Sequence, residues 1–120
     1  MKHVLIVDDS AIVRKVVRII VEGMELSIVE AECCVDGLAM CAKEMPDAIV
    51  VDGSLTDMRP LDFVRQVRLL QNGNHPRIIF CSTENDVVHI AGAMRSGANM
   101  FMMKPFTQAE LSGRLENLAA

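Results

Sequence analysis

Short apolar runs and helix-periodic stretches alternate five times along this chain of 120 residues. The runs are His3 to Val7, Ser27 to Glu32, Ala48 to Asp52, Arg77 to Cys81 and Met100 to Met103, and four of them hold four consecutive apolar residues. Unbroken runs of that length fit strands covered on both faces better than the alternation of a half-exposed sheet. Between them, Ile12, Val13, Val16, Val17, Ile20 and Val21 recur at helical spacing over residues 10 to 22, with Gly23 placed to close the helix. Val35 to Glu44 predicts a second helix, with Leu38 and Cys41 or Ala42 inward, ended by Met45-Pro46. Pro60 suits the first position of a third, which carries Leu61, Val64, Val67 and Leu69 or Leu70 until Asn72-Gly73-Asn74 breaks it. Asn85 or Asp86 caps a fourth through Ser96, with Gly97 where a left-handed residue is wanted. Thr107 to Glu110 has the form of a capping box and opens a fifth, with Leu111, Leu115 and Leu118 aligned.

Five strand and helix pairs in alternation predict an α/β fold, a three-layer doubly wound parallel sheet with right-handed crossovers and helices on both faces. The length predicts a single domain over residues 1–120. Composition narrows the function classes. No apolar stretch approaches the length of a membrane span, and Asp8-Asp9 interrupt the first run too early for a secretory leader, so a cytoplasmic protein without membrane insertion is expected. A net charge of -4 disfavours binding to the nucleic-acid backbone, so no DNA partner is expected. The spacing of Cys33, Cys34, Cys41 and Cys81 matches neither a paired zinc pattern nor a redox C-x-x-C, which predicts reduced structural thiols, with Cys81 in the core and Cys33 and Cys34 partly exposed. His3, His75 and His89 are dispersed and read as surface or loop residues, and Arg14, Lys15 and Arg18 as a solvated helix face with kinase docking as the functional alternative.

The chemistry lies where the runs end. The first is followed by Asp8-Asp9, the third ends in Asp52, the fourth is followed by Ser82-Thr83 and the fifth by Lys104-Pro105. Parallel strands bring these ends to one edge, where open parallel sheets bind ligands. Three carboxylates within a few ångströms repel one another by roughly 4 kcal/mol per pair at an effective dielectric near 20, and a cation relieves that repulsion. The pattern therefore predicts a site for a cation and a phosphoryl group.

These residues, with Phe106 after Lys104-Pro105 and Gly97-Ala98 before the last strand, resemble the receiver domain of bacterial response regulators, in particular its single-domain, CheY-like members. The resemblance spans the whole chain and implies the flavodoxin-like strand order 2-1-3-4-5 with five helices. It implies Mg²⁺ held by Asp9 and Asp52, by Asp8 directly or through water, and by the backbone carbonyl of Ser54. It further implies that Asp52 accepts a phosphoryl group from a histidine kinase or a histidine phosphotransfer protein. Lys104 then pairs with a phosphoryl oxygen, Ser82 and Thr83 supply hydroxyls, and Ser82 and Phe101 form the switch. The implied protein is a signalling switch rather than an enzyme, read out on the surface of the fourth helix, fifth strand and fifth helix. Because the sequence ends shortly after the fifth helix, output is expected through protein contact, with a flagellar motor switch, a kinase or a phosphate-sink role as candidates.

The chain departs from the family beside Asp52. A proline is expected four residues on and a glycine eight residues on, where this sequence has Thr56 and Pro60, so the loop is expected to follow a different path. That departure motivates a second reading, a phosphorylation-independent module binding a protein or a nucleotide. Glu84 is expected near the site entrance. A flavodoxin-type cofactor site lacks its phosphate loop here, and an aspartate phosphohydrolase lacks its D-x-D pair.

Overall fold

The computed structural model describes residues 1–118. The elements run β1 (His3–Val7), α1 (Ala11–Gly23), β2 (Ser27–Ala31), α2 (Cys34–Lys43), β3 (Ala48–Asp52), α3 (Pro60–Leu69), β4 (Arg77–Ser82), α4 (Val87–Ser96), β5 (Met100–Met103) and α5 (Gln108–Arg114). All five strands are parallel, in the order β2-β1-β3-β4-β5. β3 is the central strand and is buried along its whole length, as its apolar run requires.

Successive strand residues point to opposite faces, and the core divides accordingly. Leu5, Val7, Ile49, Val51, Ile78 and Phe80 face α2, α3 and α4, where Cys34, Cys41, Phe63, Val64, Val67 and Ala93 meet them. Val4, Ile6, Val50, Ile79, Cys81 and Met102 face α1 and α5, where Val17, Ile20, Val21, Leu111 and Leu115 cover them.

Local signals hold well. Pro60 opens α3, Asp86 caps α4 through the His89 N–H, and Gly97 ends α4 at φ 120°. Thr107 and Glu110 form the full capping box, although α5 ends at Arg114, so Leu115 and Leu118 pack from beyond the helix. The inward face of α1 is narrower than its apolar pattern: Ile12 is 77% and Val16 45% exposed, while Arg14 is buried. The core reaches only one flank of this helix. Gly23 does not supply the left-handed turn after α1, which falls instead at Glu25, with φ 60°. Cys34 is buried and opens α2 rather than preceding it, Cys33 is half-buried, and Ala42 and Leu69 point to solvent.

The amino-terminal edge of the sheet is pinned by two polar groups. Asp47 accepts the His3 N–H at 2.8 Å, pairs with the His75 ring at 2.8 Å, and lies within 3.9 Å of Lys2 and 3.7 Å of the His3 ring. The dispersed histidines at 3 and 75 thus share one carboxylate. Burial alone raises the Asp47 pKa, but the His75 and His3 hydrogen bonds outweigh it and leave it lowered. Arg68, near the end of α3, donates to the carbonyls of Gly97 (2.9 Å), Gly73 (2.9 Å) and Pro76 (2.8 Å) and to Asn99 Oδ1 (2.8 Å).

Candidate functional site

At the opposite edge, parallel register brings the polar strand ends together. Asp8 follows β1 and is buried; one carboxylate oxygen accepts the Ser10 N–H at 2.8 Å and the other the Lys104 ammonium at 2.8 Å. Asp52 closes β3, also buried, with Lys104 Nζ 3.4 Å from Oδ1. The Ser54 N–H approaches Oδ1 at 3.3 Å, and the Ser54 hydroxyl donates to Oδ2 at 2.8 Å. Asp9 is exposed beside them, and Asp8, Asp9 and Asp52 each offer an oxygen within 4.8 Å of the others. Lys104 therefore bridges two of three carboxylates whose separation in sequence is large. Burial acts to lower the Lys104 pKa, but the hydrogen bond to Asp8 and the charges of Asp8 and Asp52 leave it raised, so the ammonium stays charged.

One ammonium among three carboxylates leaves the cluster negative, and its donors are all hard oxygens. That donor set fits a small divalent cation such as Mg²⁺.

Ser82 closes β4, half-buried, with its hydroxyl accepting the Glu84 N–H at 3.0 Å. Thr83 is exposed and lines a hollow with Ile12, Val13, Val16, Lys104, Pro105 and Phe106. Phe101 is half-buried on β5, its ring stacked on Phe80 at 6.4 Å between centroids. Glu84 is exposed and pairs with His89, whose other ring nitrogen meets Asp86 at 2.7 Å. The Asp86 hydrogen bond, with the neighbouring Glu84, raises the His89 pKa, so this histidine, in the first turn of α4 and not in a loop, bridges two carboxylates.

Three contributors escape a reading of the sequence alone. Arg14 is no solvated strip residue: it donates to the Asp8 carbonyl at 2.7 Å and to Glu30 at 3.1 Å, while Arg18 also pairs with Glu30 at 2.6 Å. Chiefly through the Arg18 hydrogen bond, the Glu30 pKa is lowered. The only local hint is that Arg14 stands three residues before Val17 and seven before Val21, on the face of α1 that is buried. The Ser54 side chain is the second, engaged with Asp52 beyond the role expected of its carbonyl. The third is Asp57, whose carboxylate accepts the N–H groups of Cys34 (3.1 Å) and Val35 (2.9 Å). Nothing near Asp57 in sequence announces partners 22 and 23 residues away.

The unusual loop after Asp52 can now be traced. Gly53 N–H bonds the Cys81 carbonyl, Leu55 enters the core, Thr56 is exposed, Asp57 reaches α2, Met58 packs against the core, and Pro60 begins α3.

Comparison with known proteins agrees with this geometry. The chain is 35% identical over 115 residues to the KDP operon transcriptional regulatory protein KdpE of Escherichia coli, covering 96% of this chain but only 50% of that protein, so it spans about half the length of that relative. It is 28% identical to a chemotaxis protein CheY homolog of Campylobacter jejuni, over 95% of this chain and 89% of that one. The structure of the chemotaxis response regulator CheY4 of Vibrio cholerae superposes with a TM-score of 0.92 at 26% identity, covering 98% of both chains. The family model for the response regulator receiver domain matches residues 4–116, and the chain belongs to that family, as a CheY-like receiver domain of two-component signalling.

Proposed function

We propose that Asp52 accepts a phosphoryl group from the histidine of a kinase or phosphotransfer protein, and that the resulting aspartyl phosphate switches the surface formed by α4, β5 and α5. The observation that carries this reading is the position of Lys104 Nζ, 2.8 Å from Asp8 and 3.4 Å from Asp52, with Asp9 alongside. A carboxylate at the buried end of a central strand, next to a fixed ammonium and to further carboxylates able to hold a cation, suits acyl phosphate formation.

In the transfer a carboxylate oxygen of Asp52 forms an O–P bond as the P–N bond to the donor histidine breaks. The electron pair returns to the imidazole, which takes up a proton. Asp8, Asp9, Asp52 and the Ser54 carbonyl would hold Mg²⁺, which when bound neutralises charge on the phosphoryl oxygens. Lys104 moves from its bridge to a phosphoryl oxygen. Ser54 gives up its hydrogen bond to Oδ2 when that oxygen is the one that attacks. Ser82 turns its hydroxyl from the Glu84 N–H toward the phosphoryl group, with Thr83 beside it, and Phe101 follows inward along the Phe80 ring. Exposed Met94 on α4 and Met103 on β5 offer an adaptable apolar contact for a partner protein. Likeness to chemotaxis regulators supports a motor switch or a kinase as that partner.

Incubation with phosphoramidate and Mg²⁺, followed by intact-mass spectrometry, tests the reading. One phosphoryl group on the wild type and none on Asp52→Asn is expected; equal labelling of both variants, or labelling of neither, overturns it.

A further inference from the structure

The N-terminus of α2 has no cap of its own. Cys33 occupies the capping position without a side-chain hydrogen bond, and a thiol is a poor acceptor for the free N–H groups of a first turn. Both oxygens of Asp57 take that place from the loop after Asp52, at 3.1 Å from Cys34 N and 2.9 Å from Val35 N. The bonds link two segments that also carry the site: Asp57 stands three residues after Ser54 and five after Asp52.

We infer that Asp57 is a positioning residue, which holds the loop bearing Asp52 and the Ser54 carbonyl in its metal-binding shape by anchoring that loop to the first turn of α2. The inference rests on the reading of this edge as an Mg²⁺ site. Its physical basis is the exposed stretch that the loop must cross. Leu55 fixes the near end in the core, but Thr56 is exposed and lacks the restricted backbone of a proline. Between the buried Leu55 and the packed Met58, the backbone at Thr56 and Asp57 has, among the described residues, no other side-chain anchor than the Asp57 carboxylate, and a small divalent cation demands closely defined oxygen positions. Asp57 supplies that anchor by electrostatics, since a carboxylate at a helix N-terminus meets both unpaired N–H groups and the positive end of the helix dipole. Although burial pushes the Asp57 pKa up, the hydrogen bonds from Val35 and Cys34 outweigh it and leave the pKa lowered, consistent with an ionised cap. The chain thus replaces a covalent restraint on the loop with a hydrogen-bonded one that reaches across to a neighbouring helix.

The test compares the full chain with Asp57→Ala, Asp57→Asn and Thr107→Ala, following Mg²⁺ binding by the amide shifts of Gly53 and Ser54 and helix capping by amide exchange at Cys34 and Val35. Asp57→Ala should weaken Mg²⁺ binding about tenfold, the scale on which groups orienting metal ligands act, and should unprotect both amides. Asp57→Asn keeps one acceptor oxygen and should fall between Asp57→Ala and the wild type. Thr107→Ala removes a cap at α5, on the opposite face of the sheet from α2 and α3, and should lose stability while keeping its Mg²⁺ affinity. Binding by Asp57→Ala within about twofold of the wild type overturns the inference. So does an Asp57→Asn variant as weak as Asp57→Ala with its α2 amides still protected, because the loss then belongs to charge and not to position. A wild type that binds no Mg²⁺ overturns the metal reading and this inference together, whereas a binding wild type matched by Asp57→Ala overturns the inference alone.

Discussion

The two edges of one parallel sheet treat carboxylates in opposite ways. At the amino edge a single Asp47 is surrounded by a backbone N–H, two imidazoles and a lysine. At the carboxyl edge Asp8, Asp9 and Asp52 share Lys104. The first arrangement is complete within the chain and serves as a clamp. The second is left negative, and on the proposed reading a cation from outside would offset that charge. Excess charge, more than mere presence of polar groups, separates the proposed site from one that holds the fold.

That contrast can be broken experimentally. The largest expected effect is at Lys104: replacing it with Ala should slow phosphorylation of Asp52 by about a hundredfold, as loss of a group stabilising developing charge does, measured by the initial rate of labelling from phosphoramidate. Asp47→Ala should instead cost about 2 kcal/mol of stability in urea unfolding, through the lost hydrogen bonds and the stranded His3 N–H, and leave labelling unchanged. A change in labelling would join the two edges and end the contrast. At the carboxyl edge the sign reverses. Asp9→Asn should raise metal-free stability by about 0.5 kcal/mol by removing like-charge repulsion, and should abolish the rise in melting temperature expected of the wild type in Mg²⁺.

The smallest effect is one of pH. The Asp47 and Glu30 pKa values are lowered from 3.8 and 4.5, so each group contributes stability that is fully present above those values and is lost as pH falls through its lower folded pKa. Urea midpoints should therefore decline below about pH 4.5, and Asp47→Asn should flatten part of that decline. An unchanged acid limb in Asp47→Asn would show that the clamp is not electrostatic.

What could be read from the sequence follows the range of each interaction. β5 and the caps at Asp86 and Thr107 are set by neighbours within a few residues, and they stand where the pattern puts them. The inward face of α1 depends on what covers it, so Ile12 and Val16 looked like core and are not. Lys104 lies 96 residues from Asp8, yet both follow apolar runs, so a parallel sheet already places them at one edge, and the resemblance to a known family adds only the role of each. No such guide existed for Arg14 on the Asp8 carbonyl or Asp57 on α2, because ionic and capping partners across the fold leave no periodicity in the chain. Cys33 is the nearest thing to a clue: a helix that opens on a residue unable to cap it must find its acceptor elsewhere.

Arg68 gives the contrast between the edges a mechanical side. By tying the end of α3 to the carbonyls of Gly73, Pro76 and Gly97 and to Asn99, it cross-links the end of α4 and the starts of β4 and β5. The ten residues of α4, about 15 Å long, then form a lever with its fulcrum at Gly97 and its free arm at the Ser82 loop. On the proposed reading, a shift of that loop would reach the outer surface first through the opening turn of the helix, where Val87 and Val88 stand exposed.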